Sequence, residues 1–536
     1  MNIKYIIISA LLLVTFTSCG DFLEEYSTDQ RYCETPEDLN MLLIGEGYIK
    51  TNSIGSLYSQ ETMTKSSLES VTDAPNFPWL HVLDDDSEEF AVDYVDTNKG
   101  TPLYMFGNLH NWGADPFRNI LNTQWKDIMW EKIYKQIGAV NAIIYQGEEL
   151  KGKVKTNTEK DMLNQICGEA YFLRAYYYYY LANIYGLPYR KATASTDFSV
   201  PLKTTEVIED KYFTRATNQQ VFSQIWNDLC KADDYLGNYS STSVIRANIG
   251  AVRTLKSRIA LYMENYNDAL DATNDFENWN YKLTNLNHFD MSSNFIGRSV
   301  PEVIFTMGGP IVPAVFIDDH ISDWNGDDNR ASSFKASSDL MDSYQPNDLR
   351  YKAFFRKSTT NKVPLPEKYK TWSEYNSKET VSDVFIIRYA EVYLNRAEAQ
   401  AMLGQDEAAR QTLQELRSKR MENSNINDIP TTGRELIDFI RAERRRELCF
   451  EGQRWFDLRR YSVNSKYPLP ENFCIKHPAY TYDAASNMHH LAGYYQLNAY
   501  DKDQAAWVIP IPNATIEFNR GSLTNLVRPT RDMIKQ

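Results

Sequence analysis

Apolar residues recur at spacings of three and four over long stretches of the chain, which is the period of an amphipathic helix. Such stretches start near Thr123 and Thr158 and occupy residues 217–236 and 247–263. An earlier helix is expected after Thr35, because the next three residues are a proline and two acids, which suit a first helical turn. The pattern predicts a mostly α fold with few short strands, one of them at residues 303–306.

A pair of helices joined by a tight turn occurs twice. The hairpins that contain SRIALYMENYNDALDAT and NRAEAQAMLGQDEAARQTL match at three positions, which are Leu255, Asn265 and Ala269 in the first and Leu394, Gly404 and Ala408 in the second. Each resembles a tetratricopeptide unit, and such units stack because one alone cannot bury its apolar face. We therefore expect a tetratricopeptide-like scaffold of helical hairpins over about residues 120–277 and 382–460.

Two long irregular insertions, at about residues 51–119 and 278–381, interrupt the helical pattern. Both mix aromatic residues with Asp, Asn, Arg and His and contain many turn formers. Loops of this length usually carry function. A flat ring beside hydrogen-bonding side chains complements a sugar, which has an apolar C–H face and a rim of hydroxyls. The alternative is that each ring only pins its own loop to the scaffold.

Charged residues lie on the apolar face of a helix predicted within residues 435–461. Carboxylates on such a face need cationic partners, because an unpaired buried charge is very costly. The same segment offers Arg444, Arg454, Arg459 and Arg460. We therefore predict a buried ionic clasp, formed by Glu443, Arg444, Glu447, Glu451, Arg454 and Asp457. Glutamates locked to arginines are poor acids and bases, so the clasp is expected to be structural.

Composition and charge narrow the function. The chain has 536 residues, of which 43% are hydrophobic and 36 are tyrosine. This composition is that of a globular protein with many aromatic side chains. The run Tyr176–Tyr180 covers every face of a helix, which favours helix packing over ligand contact. A formal net charge of −14 argues against a nucleic-acid partner.

No motif for a resident metal or cofactor is present. The sequence has no HExxH, CxxC, Walker A, GxGxxG or GxSxG pattern, so we expect no metal, no cofactor and no catalysis. With 71 acidic residues, however, a catalytic carboxylate pair is not excluded. One stretch is rich in oxygen ligands, and both an incidental calcium site and a solvated loop stay open for it; it comprises Asp323, Asn325, Asp327, Asp328 and Asn329.

The first 18 residues predict a secretion signal. One lysine precedes an apolar run from Tyr5 to Val14, and small polar residues then lead to Cys19. The run is too short to span a bilayer, and the cysteine resembles the lipidated residue of bacterial lipoproteins. Acidic residues directly after Cys19 resemble a surface-export signal. We expect a lipid anchor at Cys19 and a single domain over residues 19–536.

The segment around the clasp reads ER-x-x-EL-x-F-EG-x-R-x-x-DL-x-R. This pattern resembles the C-terminal signature of SusD/RagB-like outer-membrane lipoproteins. Other segments resemble the same family, namely GEAYFLRAYYYYYLANIYGLPY, RYAEVYLNRAEA and the ending VIPIPNATIEFNRG. The resemblance implies a non-catalytic lipoprotein, exposed at the cell surface, that binds oligosaccharide with aromatic loops. It also implies a partner, a TonB-dependent transporter of the SusC type in the outer membrane.

Other functions stay open on the sequence. Some members of this family are linked to peptide uptake, as RagB is, and a surface glycoside hydrolase or an assembly protein without a small ligand is also compatible. If the family's ligand loops are carried over, Trp112 and Trp324 are the expected stacking platforms and Trp79 and Phe316 the reserves. Hydroxyl-binding side chains are expected beside them, namely Asn325, Arg330, Asn108 and His110.

Overall fold

A computed structural model describes residues 33–50, 76–90, 102–120, 122–237, 243–316, 334–358, 362–369, 379–483, 485 and 488–536. Helices dominate the described residues, as the sequence predicts. In chain order they are α1 Pro36–Leu42, α2 Pro102–His110, α3 Met129–Leu150, α4 Asn157–Tyr185, α5 Asn218–Leu236, α6 Ile249–Tyr262, α7 Tyr266–Asp271, α8 Val312–Val315, α9 Ser338–Asp342, α10 Arg350–Phe354, α11 Tyr389–Met402, α12 Asp406–Ser418, α13 Gly433–Leu448, α14 Arg454–Ser462, α15 Tyr500–Asp503 and α16 Asn513–Phe518.

Strands form four small sheets within the described residues. They are β1 Ser87–Glu89, β2 Val303–Thr306, β3 Phe334–Ala336, β4 Phe355–Lys357, β5 Pro364–Pro366, β6 Ile386–Arg388, β7 Cys474–Asp483, β8 Met488–Asn498 and β9 Ile534–Lys535. The pairs β1–β3, β2–β6 and β4–β5 are antiparallel, and β7–β8–β9 form a three-stranded sheet. The strand predicted at residues 303–306 is confirmed as β2, whereas the β7–β8 hairpin is not among the elements that the sequence pattern predicts.

Threonines start three of the helices by the same device. Thr35, Thr156 and Thr217 each accept a hydrogen bond from the backbone N–H three residues on, and the side chain there reciprocates. The start predicted near Thr123 is wrong, since α3 begins at Met129. The preceding residues are extended instead: Arg118 and Gln124 form a β-bridge, and Trp125 donates its backbone N–H to the Phe117 carbonyl.

The two clear helical hairpins, α6–α7 and α11–α12, are confirmed. Their helices begin at Ile249 and Tyr266 in the first and at Tyr389 and Asp406 in the second, a displacement of 140 residues in both. The matching made from the sequence is one residue off. Glu264, with φ 56°, corresponds to Gly404, with φ 77°, so the buried Ala269 corresponds to the buried Ala409 and not to Ala408.

Helix α4 lies at the centre of the scaffold, between α3 and α5. The tyrosines Tyr176–Tyr180 are fully buried, which confirms their predicted packing role. Buried hydroxyls need partners. Tyr177 donates to the Gly47 carbonyl and Tyr180 to the Val384 carbonyl, both at 2.5 Å. The central helix is thereby tied to chain segments on different sides. None of the described helices is long and apolar enough to cross a membrane.

Candidate functional site

Side chains from both loop-rich segments meet around Phe450, in the turn between α13 and α14. The ring centroids of Phe316, Phe355 and His81 lie 5.0, 6.2 and 6.4 Å from that of Phe450. We call these four residues the Phe450 cluster. His81 belongs to the first loop-rich segment, and Phe316 and Phe355 to the second. The two loop-rich segments, which lie more than 150 residues apart in the sequence, therefore meet at the Phe450 cluster.

Strand pairing joins the same two segments a second time. In the β1–β3 pair, Glu88 lies opposite Lys335, and the two side chains form an ion pair. Beyond the strands, Ser337 donates its hydroxyl to the Asp85 carbonyl at 2.6 Å. Burial raises the pKa of Glu89, on the other face of β1, to about 8. The strand pairing, the ion pair and the side-chain hydrogen bond together fix the two loop-rich segments relative to each other.

The buried ionic clasp adjoins the Phe450 cluster. Glu443 pairs with Arg350 at 2.5 Å and with Arg417 and Arg446 at 2.8 Å. Glu447 pairs with Arg420, Arg388 and Arg350 at 2.9, 3.0 and 3.3 Å. Both glutamates are fully buried. The glutamates are paired as the sequence predicts, but their partners are not the four arginines that were expected to meet them, namely Arg444, Arg454, Arg459 and Arg460.

Residues of the second loop-rich segment complete the clasp. Glu451 pairs with Lys368 at 2.5 Å and with Arg388 at 2.7 Å, while Glu302 pairs with Arg388 at 2.5 Å and with Arg420 at 2.7 Å. Lys368 follows β5, Glu302 precedes β2 and Arg388 ends β6. The clasp therefore holds the irregular segments onto α13 through ion pairs in the core.

Electrostatics keep these carboxylates ionised. Burial alone would raise the pKa of Glu443, but Arg350, Arg446 and Arg417 outweigh it and hold that pKa well below its ordinary value. For Glu447, Arg420 and Arg388 overcome burial in the same direction. A carboxylate that stays charged at every working pH cannot shuttle a proton. The clasp is suited to holding structure and not to acid–base catalysis.

Other predicted clasp residues make contacts next to the clasp and not within it. Asp457 lies 2.7 Å from Arg444 and 2.8 Å from Arg460, and Arg460 also pairs with Glu398 of α11 at 2.6 Å. Arg459 donates to the carbonyls of Trp507 and Gly186, and it pairs with no carboxylate among the residues that the structure describes. Together these contacts fix α14 against the second hairpin and the C-terminal segment.

Arg454 was predicted to belong to the clasp, but its side chain pairs with the first loop-rich segment instead. It pairs with Asp85 at 2.7 Å, and Arg445 pairs with Asp86 at 2.7 Å. The carboxylates of Asp84, Asp85 and Asp86 lie within 4.8 Å of one another, close enough to hold a metal ion. Two guanidinium groups already occupy this position, so the residues do not favour a cation there.

The first predicted platform, Trp112, is buried. Only 1% of its surface is exposed, its indole N–H donates to the Leu83 carbonyl at 2.9 Å, and its ring stacks on His477 at 4.3 Å. His110 is fully buried and stacks on the other face of His477 at 3.7 Å. Asn108 donates to the Arg118 carbonyl at 3.0 Å. The expectation that Trp112 and His110 face a ligand is wrong, because core contacts occupy them; Asn108 is half-buried, and its contact with a ligand stays a prediction.

The two reserve aromatics are also in the core. Trp79 is fully buried against Phe77 and Phe117, and Phe316 is 2% exposed within the Phe450 cluster. In both cases the interpretation of a ring that pins its loop prevails over ligand stacking. The remaining predicted positions lie outside the described residues, namely Trp324, Asn325, Arg330, the oxygen-rich stretch at 323–329 and Cys19.

Several residues that build the site were not found from the sequence. His477 comes from β7, and its buried ring lies between His110 and Trp112. Arg350, Arg388 and Arg420 supply the clasp from outside the predicted segment. The one available signal was Arg388, an arginine that ends the apolar run VFIIR just before a helix.

Comparisons with known proteins fit this architecture. The model of the SusD family matches residues 212–528, and a second family model, described as starch-binding and associating with the outer membrane, matches residues 88–261. A SusD-like protein of Formosa agariphila is 25% identical over 403 residues, which cover 62% of this chain and 71% of the relative. Another from the same organism is 22% identical over 382 residues, covering 63% and 72%.

Solved structures show the same fold. A SusD superfamily protein from Bacteroides thetaiotaomicron superimposes with a TM-score of 0.65 at 21% identity, covering 92% of this chain and 99% of that one. A structure described as a putative sugar-binding protein from Bacteroides vulgatus gives a TM-score of 0.65 at 19% identity, with the same coverage of both chains.

Proposed function

Because the chain belongs to the SusD family, we propose that it is a cell-surface lipoprotein that captures oligosaccharide and delivers it to a SusC-like TonB-dependent transporter. The match to the family model over residues 212–528 carries this proposal. The description of the second family model, as starch-binding and associating with the outer membrane, supports it. The protein is proposed to act by binding alone, without catalysis.

The proposed ligand platform is Trp324, with Asn325 and Arg330 gripping hydroxyls. Trp112, Trp79, Phe316 and His110 are engaged in core contacts. The chain on either side of residues 317–333 is firmly held: Phe316 belongs to the Phe450 cluster, and Phe334 is fully buried and contacts His110 at 4.8 Å. In the sequence, Trp324 falls between Phe316 and Phe334. It is close there to Asn325 and Arg330, whose amide and guanidinium groups are suited to hydroxyl recognition.

We expect Trp324→Ala to weaken oligosaccharide binding about tenfold or more, because stacking of a sugar on an indole contributes about 1–3 kcal/mol. A glycan array first selects the saccharide, and isothermal titration then compares the variant with the unaltered chain. Trp324→Phe is the matched control, since it keeps an aromatic face and should retain most of the affinity. Unchanged affinity of Trp324→Ala would place the site elsewhere.

Membrane attachment is proposed to depend on Cys19. We expect Cys19→Ala to leave a folded, soluble protein, since a lipid chain is the proposed anchor. Cell fractionation followed by detection of the protein in the membrane and soluble fractions measures this. A conservative change at another cysteine, Cys474→Ala, serves as the control. Equal membrane partitioning of both variants would contradict the lipid anchor.

The alternative functions are separated by the products and partners they require. Prolonged incubation with the selected oligosaccharide, followed by chromatography, would reveal shorter products if the chain were a hydrolase. Titration with peptides tests uptake of the RagB type. Copurification from membranes tests for the transporter, and an assembly protein would bring down partners without binding any saccharide.

A further inference from the structure

An open cavity of about 430 Å³ lies between residues 115–127 and the C-terminal segment 510–517. This volume is within the range of small-ligand sites. It shares no lining residue with the Phe450 cluster. One wall is the extended segment that precedes α3, and the other is the Pro-Ile-Pro sequence with helix α16. The cavity is therefore distinct from the Phe450 cluster.

The floor of the cavity is apolar and rigid. It contains Phe117, Trp125 and the run Pro510 to Pro512. The Trp125 ring is held edge-on by Phe117 at 5.1 Å and by Phe106 at 6.0 Å. Its indole N–H is buried and has no hydrogen-bond partner within the described part of the chain. An apolar floor of this kind suits the C–H face of a sugar ring.

The rim of the cavity is acidic. Three carboxylates line it, from Asp115, Asp127 and Glu517, against a single ammonium group, from Lys126. Lys126 is already paired with Glu131 at 2.9 Å, so its charge is not free to balance the rim. Glu517 is exposed and makes no ion pair with any residue that the structure describes. Anionic ligands, including sulfated and uronic saccharides, are disfavoured by this arrangement.

Asp127 differs from the other two carboxylates because it is buried. It accepts the hydroxyl of Tyr185 at 2.5 Å and the backbone N–H of Met129 at 3.1 Å. Burial raises the pKa of Asp127 to about 6. A cation bound next to this group would favour its charged form. Asp127 therefore adds to the attraction for a positively charged ligand near neutral pH, whereas Asp115, paired with Arg118 at 2.8 Å, adds less.

We propose that this cavity binds an amino sugar, a saccharide unit that carries a free ammonium group. The ring lies on the apolar floor, its hydroxyls exchange hydrogen bonds with Gln124 and Asn513, and the ammonium group faces Glu517 and Asp127. This site goes beyond the proposed oligosaccharide uptake, since its ligand is selected by positive charge and by residues other than those proposed for the oligosaccharide platform.

Three tetrasaccharides that differ only at carbon 2 test the proposal: the glucosamine tetramer, its N-acetylated form and cellotetraose. Isothermal titration of the full mature chain in low-salt buffer near neutral pH should show binding of the glucosamine tetramer about tenfold tighter than that of the other two. Glu517→Gln should weaken it about three- to fivefold, as expected for one exposed charge pair. Ala514→Trp, which fills the cavity from exposed α16, should abolish it.

A matched control separates site binding from general attraction to an acidic protein. Glu277 is an exposed glutamate outside the cavity, in the short 3₁₀ turn Phe276–Asn278, and Glu277→Gln should leave the affinity unchanged. Equal weakening by Glu277→Gln and Glu517→Gln, equal affinity for the three tetramers, or undiminished binding by Ala514→Trp would each overturn the proposal. Trp324→Ala should not affect this binding, so failure here and failure of the uptake function are distinguishable.

Discussion

Replacing Glu447 with alanine is expected to destabilise the folded chain by about 3–5 kcal/mol, because it leaves buried guanidinium charges without a partner. Glu447 is fully buried and contacts Arg350, Arg388 and Arg420 within 3.3 Å. Loss of one carboxylate therefore affects α10, β6 and the end of α12 together. Denaturant unfolding followed by circular dichroism measures the change in the free energy of unfolding.

The matched control lies in the same helix. Glu435 is exposed in the first turn of α13, and Glu435→Ala should cost less than about 1 kcal/mol. The stabilisation by Glu447 should also depend on pH in one direction. Its pKa is depressed in the folded chain, so the contribution is present above the ordinary glutamate pKa and is lost as pH falls. Equal stability of the two variants at neutral pH would show that Glu447 is not buried in the clasp.

Replacing Trp112 with alanine is expected to lower stability by about 3–5 kcal/mol, the range for truncating a large buried ring. The change removes the stack on His477 and the hydrogen bond to Leu83, and it opens a cavity beside His477. Thermal unfolding measures the loss. Oligosaccharide affinity, measured below the unfolding temperature, should stay the same, since Trp112 has no exposed face for a ligand.

Trp112→Phe isolates the hydrogen bond from the packing. It keeps a ring against His477 and should cost about 1–2 kcal/mol, mainly from the Leu83 carbonyl left without its donor. The interpretation of Trp112 as a core residue would be overturned by an alanine variant that melts normally but loses saccharide affinity. That result would return Trp112 to the ligand surface.

Some of this architecture is readable from periodicity and some is not. Glu447 was predicted to be buried because it falls on an apolar helical arc, and α13 has a regular period. Its partners were not predicted, because Arg388 and Arg420 lie 59 and 27 residues away and no local pattern encodes such pairings. The general position of the helices followed from their apolar spacing, yet α3 began late because residues 117–125 pair as extended chain.

The candidate site was the least predictable part. Trp112 and Trp79 lie where the sequence has no regular period, so nothing in the pattern distinguishes a buried ring from an exposed one. The hairpin that supplies His477 was missed because Pro478 stands in the middle of β7, and proline inside a strand pattern argues against a strand. The strand tolerates it beside a register shift between Ala479 and Tyr480.

The ion pairs of the core also constrain how the chain folds during synthesis. Asp85 and its partner Arg454 are separated by 369 residues, and Glu302 and Arg420 by 118. The N-terminal carboxylates leave the ribosome long before their guanidinium partners exist, so they stay hydrated until the C-terminal third is made. Contacts of such long range close late and slowly. The segments that these ion pairs join are therefore fixed to each other only after most of the chain has been made.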